Sequence, residues 1–426
     1  MGGHHLPAVG QAVVADAAIE HVHRGIALQS QQRFDEALAC YERAATLRPD
    51  DAVLLQEVAM GITGNLAAIA NPPHLTAAFV VVAPTSLKNA SFIGGAFKQK
   101  DSGDWSRDQG VAEDVIAKNA ASYPASAEYA ALDIQRNAEF IDIPIYNLGG
   151  WYDIFNEGSV RNFMKLQHEG SKGAKGNQKL EMGPFGHGEL SGDMEYPESG
   201  GLRGNPTEIR WFDYWLKGID NGIMNEPPVK AYMMASARKG AISPKNRWMT
   251  FGDWPPAPST VDYFLGLGGK LSVKAPTSAS ASKTYAFDPK NPVPSIGGAN
   301  LTFDRGPMDQ RPIGKRADYL RFETPVLDKD VAIAGPVSVD LWASTDGPDT
   351  DFMVKLVDVY PDGYEAIVLD SAIRTRYRDG RNADDIKMMV PGAPVKPMPW
   401  SGGVQAPAAP ASAASAPQAA ASAASK

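Results

Sequence analysis

The sequence predicts an α/β domain joined to an all-β domain, with a helical hairpin ahead of both. Between about residues 65 and 220, apolar runs alternate with stretches of helical periodicity, the pattern of parallel strands joined through helices. From about residue 228 to 395 the runs become short and alternating, and Pro, Gly and Asp separate them. That is the pattern of a β-sandwich, here expected to be a jelly roll. The expected divisions are 1–60 for the hairpin, 61–222 for the α/β domain and 223–395 for the β-sandwich. Residues 396–426 form an Ala/Ser/Pro tail, as in "VQAPAAPASAASAPQAAASAASK", too poor in apolar groups to fold.

In the hairpin, Gly25, Ala37, Tyr41, Ala44 and Pro49 stand at offsets that resemble one tetratricopeptide repeat over residues 18–51. His21 stands where such repeats carry a large aromatic residue. About three repeats are normally needed to bury a core, so a single one needs a partner on its apolar face. That partner is either the rest of the chain or another protein. Three buried strands follow: "AAFVVVAP" (77–84), "IDIPIYNLGG" (141–150) and "QKLEMGP" (178–184). The run "GSVRNFMKLQHEG" (158–170) reads as a helix, as does "NPTEIRWFDYWLKG" (205–218), which is entered through Asn205, Pro206 and Thr207. A polar, mostly helical insertion at about 98–140 suits a cap over a site. Trp211, Phe212, Tyr214 and Trp215 form a helical stripe expected to pack between the two domains. "YPDGYE" (360–365) is a hairpin turn.

Composition narrows the function. The 426 residues are 43% hydrophobic and 21% charged, ordinary for a globular protein of two or three domains. A net charge of −8 and the lack of a basic stripe argue against nucleic-acid binding. Cys40 is the only cysteine, so no disulfide closes within the chain. No stretch reaches the roughly 18 apolar residues of a membrane span. The first residues lack a basic region followed by an apolar one, so the default expectation is a cytoplasmic protein without membrane attachment. His4, His5, His21 and His23 lack an accompanying cysteine or carboxylate cluster and read as surface residues rather than metal ligands. "GLGGK" (266–270) lacks the context of a phosphate-binding loop and reads as a turn.

The chemistry centres on "LEMGPFGHGE" (180–189), where His187 stands between two glycines just past a strand. The C-terminal edge of a parallel sheet is where ligands and catalytic groups collect. Asp153 occupies the equivalent place after the preceding strand. An imidazole beside a carboxylate is the base and orienter of nucleophilic catalysis, and the glycines are expected to let the ring swing. Two plainer readings stay open on spacing alone: His187 as a solvated loop residue and Asp153 as a helix cap. Trp151 and Tyr152 serve equally as walls of an acyl pocket or as core residues.

The strings "GGWYD", "GPFGH" and "RWFDYWLKG", in that order, resemble the X-prolyl dipeptidyl-peptidase and cocaine-esterase family of α/β-hydrolases. "NPPHLTAAFVVVAP" and "GPVSVDLWASTDGPDTDFMVKLVDVYPDG" extend the resemblance from about residue 64 to about 391. It implies a partial α/β-hydrolase sheet with a helical cap, followed by the jelly roll. Asp153 matches the triad acid and His187 the triad base, in the family's chain order. The implied activity is hydrolysis of acyl esters or X-Pro dipeptidyl amides through an acyl-enzyme. The implied substrate is a small-molecule ester or a peptide, and no metal or organic cofactor is required.

One family feature is missing. No G-x-S-x-G elbow occurs, and the expected place reads "EVAMGITGNLAAIA" (57–70). Thr63 is the only hydroxyl between Gly61 and Gly64, and its methyl would crowd a strained elbow. Ser86 and Ser91 come after the next strand and read as loop or helix-start residues. By this resemblance the chain is truncated on the nucleophile side. A second reading follows: a catalytically inactive binding or scaffold protein that uses the helical repeat and the β-sandwich.

Overall fold

A computed structural model describes residues 52–122, 132–202, 205–256, 259–277, 282–380, 386–395 and 398–402. The tetratricopeptide-like segment at 18–51 and the tail from residue 403 lie outside the described residues.

Helix α1 (Ala52–Ala70) leads into a five-stranded sheet. Its strands are β1 (Ala78–Val81), β2 (Ile145–Gly150), β3 (Lys179–Gly183), β4 (Val229–Met233) and β5 (Arg247–Phe251), paired in that order. The first four run parallel, and β5 is antiparallel to β4. Every residue of β2 and β3 is buried, the charged Lys179 and Glu181 of β3 included. Helices cover both faces. Ile145, Val80, Leu180 and Met182 face α1 and α3 (Asn156–Glu169), the latter through Val160, Phe163 and Leu166. Tyr146 and Phe79 face α4 (Pro206–Lys217), where Trp211 is fully buried.

The ends of α4 follow its sequence. Asn205 accepts a hydrogen bond from the Thr207 amide at 3.0 Å, Pro206 opens the first turn, and Gly218 closes the helix at φ +68°. The aromatic stripe packs on the sheet rather than between the domains. Trp211 meets Tyr146 edge-on at 5.6 Å, Phe79 stacks on Tyr146 at 4.7 Å, and the Trp211 indole donates to Ala78 O at 2.9 Å. Gly61 lets α1 lie close against the end of β1. A Cβ there would stand 2.8 Å from the Cβ of Ala83 and nearer still to Val81 O.

Among the described residues, the stretch expected as an insertion at about 98–140 holds short helices. It contains a π-helical turn at Gln99–Asp104, a short helix at Trp105–Asp108 and a longer one at Glu113–Ala120. No helix among the described residues is long and apolar enough to cross a membrane.

Beyond residue 256 the strands are antiparallel pairs. Strand β6 (Val337–Leu341) pairs with β9 (Met398–Gly402), and β7 (Asp351–Val359) pairs with β8 (Glu365–Arg374). The "YPDGYE" turn joins β7 to β8, closed by mutual 2.8 Å bonds from Tyr360 N to Tyr364 O and from Gly363 N to Tyr360 O. The "GLGG" turn joins two three-residue strands, with Gly268 and Gly269 at φ +72° and +77°. Strands β4 and β5 follow residue 222, the expected end of the α/β domain, yet both belong to the five-stranded sheet.

The antiparallel region docks on the sheet through specific bonds. Tyr152 Oη donates to Ile367 O at 2.7 Å, and Arg374 N donates to Gly94 O at 2.9 Å. Asp101 accepts from Leu301 N, Thr302 N and Thr302 Oγ1 at 3.0–3.1 Å.

Candidate active site

Strands β2 and β3 end in register, with Gly150 opposite Gly183. The two segments that leave them stay tied: Trp151 N donates to Gly183 O at 3.0 Å and Tyr152 N to Phe185 O at 2.9 Å. This brings Asp153 and His187 together. His187 Nδ1 lies 2.7 Å from Asp153 Oδ2. The carboxylate can only accept, so Nδ1 carries the proton and Nε2 keeps its lone pair.

Asp153 is fully buried. Its other oxygen accepts from the Phe155 amide at 2.6 Å, which fixes the carboxylate and shapes the entry to α3. Asp153 is thus not the helix cap: Phe155 holds that position, and the Asp153–Phe155 bond is an Asx turn just ahead of α3. Phe155 also meets the His187 ring edge-on at 5.6 Å. The His187 side chain is 21% exposed, and among the described residues nothing bonds to Nε2. A buried carboxylate beside a partly exposed imidazole is an arrangement that can serve general-base chemistry.

The glycines around His187 have a different role from the one expected. Neither Gly186 nor Gly188 takes a positive φ. A Cβ on Gly186 would stand 2.8 Å from Arg305 Cγ and closer to Arg305 Cδ. These glycines make room for an arginine from the antiparallel region, so the turn is covered rather than loose.

Lys98, from the insertion, is a further charged group here. Its Nζ donates to Ile154 O at 3.4 Å and lies 5.9 Å from the centre of the Phe155 ring. Burial pushes its ammonium pKa down, against the pull of Asp101, Glu157 and Asp153. Sequence reasoning missed both Lys98 and Arg305, because neither "FKQKDS" nor "TFDRGP" carries a local signal. Trp151 and Tyr152 take core roles. The Trp151 indole donates to Tyr232 O at 2.9 Å and packs 5.6 Å from Trp254, and Tyr152 is buried against Ile367.

Among the described residues no nucleophile joins the pair. Gly61, Thr63 and Gly64 lie inside α1 and form no elbow. Ser86 caps the short helix Leu87–Ser91, accepting from Asn89 N at 3.3 Å, and Ser91 ends it. Among the described residues no serine, threonine or cysteine side chain bonds to His187.

Comparison with known proteins finds similar chains. Residues 221–397 match the X-Pro dipeptidyl-peptidase C-terminal non-catalytic domain, and residues 18–51 match the tetratricopeptide repeat weakly. The chain is 34% identical over 254 residues to the cocaine esterase of Rhodococcus sp. (strain MB1 Bresler), covering 55% of this chain and 42% of that protein. It is 29% identical over 157 residues to a putative Xaa-Pro dipeptidyl-peptidase of Bacillus anthracis, covering 36% and 22%. The chain thus spans less than half the length of these curated relatives. Among solved structures, an aminopeptidase from a marine sediment archaeon, Thaumarchaeota archaeon, superposes with a TM-score of 0.65 at 23% identity, over 81% of this chain and 64% of that one. An α-amino acid ester hydrolase gives 0.64 at 23% identity, over 80% and 64%. These structures share the α/β-hydrolase type of fold with its mixed sheet. Fold, motif order and relatives agree in making the chain similar to the X-prolyl dipeptidyl-peptidase and cocaine-esterase family of α/β-hydrolases.

Proposed function

We propose that this protein hydrolyses acyl esters or amides through an acyl-enzyme, with His187 as general base and acid and Asp153 as its orienter. The observation that carries this reading is the 2.7 Å bond between His187 and a fully buried Asp153, with Nε2 left open. In the proposed cycle Nε2 takes the proton of a hydroxyl as its oxygen attacks the substrate carbonyl. The buried carboxylate stabilises the imidazolium that results. That proton then passes to the departing alcohol or amine, and water repeats the sequence to release the acid. The substrate is a small-molecule ester or a peptide. The antiparallel region is read as the jelly roll of the family's non-catalytic domain, and the helical repeat as a site for a protein partner.

The nucleophile in this cycle is a hydroxyl that neither the sequence motif nor the described residues identify. Fluorophosphonate labelling of the whole chain, with the modified peptide mapped, tests the proposal. The expected result is one labelled hydroxyl whose labelling disappears in His187→Ala. A cooperatively folded protein that takes no label would overturn it. The second reading, a catalytically inactive binding protein, would then hold. It draws support from the helical setting of Thr63 and from the absence of a hydroxyl on His187 among the described residues.

A further inference from the structure

We infer that Arg305 receives a carboxylate carried by the substrate, next to the carbonyl that His187 serves. The placement of that carbonyl rests on the hydrolase reading above. Arg305 lies across the histidine-bearing turn. Its Cγ stands 2.8 Å from where a Cβ of Gly186 would be, and its Nη1 stands 3.6 Å from the same point on Gly188. The stem therefore covers one neighbour of His187 and the guanidinium reaches the other.

That guanidinium has no acceptor among the described residues. The other arginines of the antiparallel region differ in this respect. Arg311 is paired with Asp309, Arg316 with Asp318, Arg374 with Asp351 and Arg376 with Asp349. The carboxylate of the site, Asp153, is already occupied by His187 and the Phe155 amide. Arg305 is half-buried, and a guanidinium in that setting favours a planar, two-oxygen acceptor.

The segment that presents Arg305 is braced before any ligand arrives. Arg305 N donates to Ser191 Oγ at 3.3 Å and Ser191 N donates to Arg305 O at 2.8 Å, which joins the arginine to the histidine loop itself. Asp101 holds the start of the segment at Leu301 and Thr302, and Gly298 and Gly306 exchange backbone bonds across it. Little ordering is left for binding to impose. The favoured substrate class is an ester or amide with a carboxylate a few bonds from the scissile carbonyl.

The test uses the whole chain and needs no turnover. The His187 ring resonance, identified by its loss in His187→Gln, is followed during titration with 4-oxopentanoate, which has a carbonyl and a carboxylate but no bond to hydrolyse. The neutral ketone 2-hexanone is the comparison. The keto acid should bind saturably, about 10- to 100-fold more weakly in Arg305→Gln, with Arg305→Lys in between. 2-Hexanone should bind weakly and ignore both substitutions. Equal affinity of wild type and Arg305→Gln for the keto acid overturns the inference, as does no binding by wild type. Arg305→Lys keeps the stem over Gly186, so a packing defect is separated from loss of the guanidinium. Keto-acid binding that depends on Arg305, in a chain that takes no fluorophosphonate, upholds the inference while the hydrolase reading fails. Labelling without dependence on Arg305 gives the reverse.

Discussion

Replacing Asp153 by asparagine probes the site most directly. The native carboxylate accepts from Phe155 N at 2.6 Å and from His187 Nδ1 at 2.7 Å, both inside the protein. An asparagine there has one oxygen and one amide nitrogen. If the oxygen keeps the Phe155 bond, the amide nitrogen faces Nδ1 and must donate to it. The ring proton then moves to Nε2, and the lone pair that the mechanism needs is turned inward. The negative charge that would stabilise an imidazolium is lost in the same step. In serine hydrolases with this arrangement the combined effect is on the order of 10⁴ in rate, roughly 5 kcal/mol of transition-state stabilisation. Two measurements check the reasoning. Nitrogen NMR of labelled histidine should show the proton on Nδ1 in the wild type and on Nε2 in Asp153→Asn. The fluorophosphonate labelling rate should fall by about the factor given. An unchanged tautomer, or a labelling rate within about threefold of wild type, would refute the orienting role of Asp153.

Gly186→Ala should destabilise the chain by about 1–3 kcal/mol in urea unfolding, because the new methyl meets the Arg305 stem, and Arg305→Ala should relieve most of that cost. Asp370, partly buried and opposite Lys355 in the β7–β8 pair, has its carboxyl raised above the usual range by burial, with Lys355 and Lys98 pulling the other way. Its contribution to stability is complete below the unfolded-state value and falls as pH rises through the folded-state value. Asp370→Asn should therefore flatten the decline in unfolding free energy as pH rises above the ordinary aspartate value of about 4, and an unchanged slope would count against the assignment.

Much of the α/β unit could be read from the chain because its signals are local. Apolar runs marked β1 and β2, whereas β3 alternates Lys179 and Glu181 with Leu180 and Met182 although it is buried on both faces. Asn205 and Pro206 marked the start of α4, and "YPDGYE" marked the β7–β8 turn. Asp153 and His187 were legible because each follows a strand end, in strings that resemble those of a known family.

Other features depend on partners distant in sequence, and only the tertiary structure decided them. Alternation in β4 and β5 indicates a strand but not which sheet it joins, and both belong to the five-stranded one. The stripe around Trp211 indicates burial but not against what, and it meets Tyr146 and Phe79. Gly186 reads as freedom in a turn, whereas packing makes it space for the Arg305 stem. Asp153 reads as either a cap or a catalytic acid, and the structure places Phe155 at the cap and Asp153 against His187. The chain by itself determined which segments become strands and helices and which two residues end beside one another. Three-dimensional packing determined what covers them, because side-chain neighbours are set by how the elements come together rather than by distance along the chain.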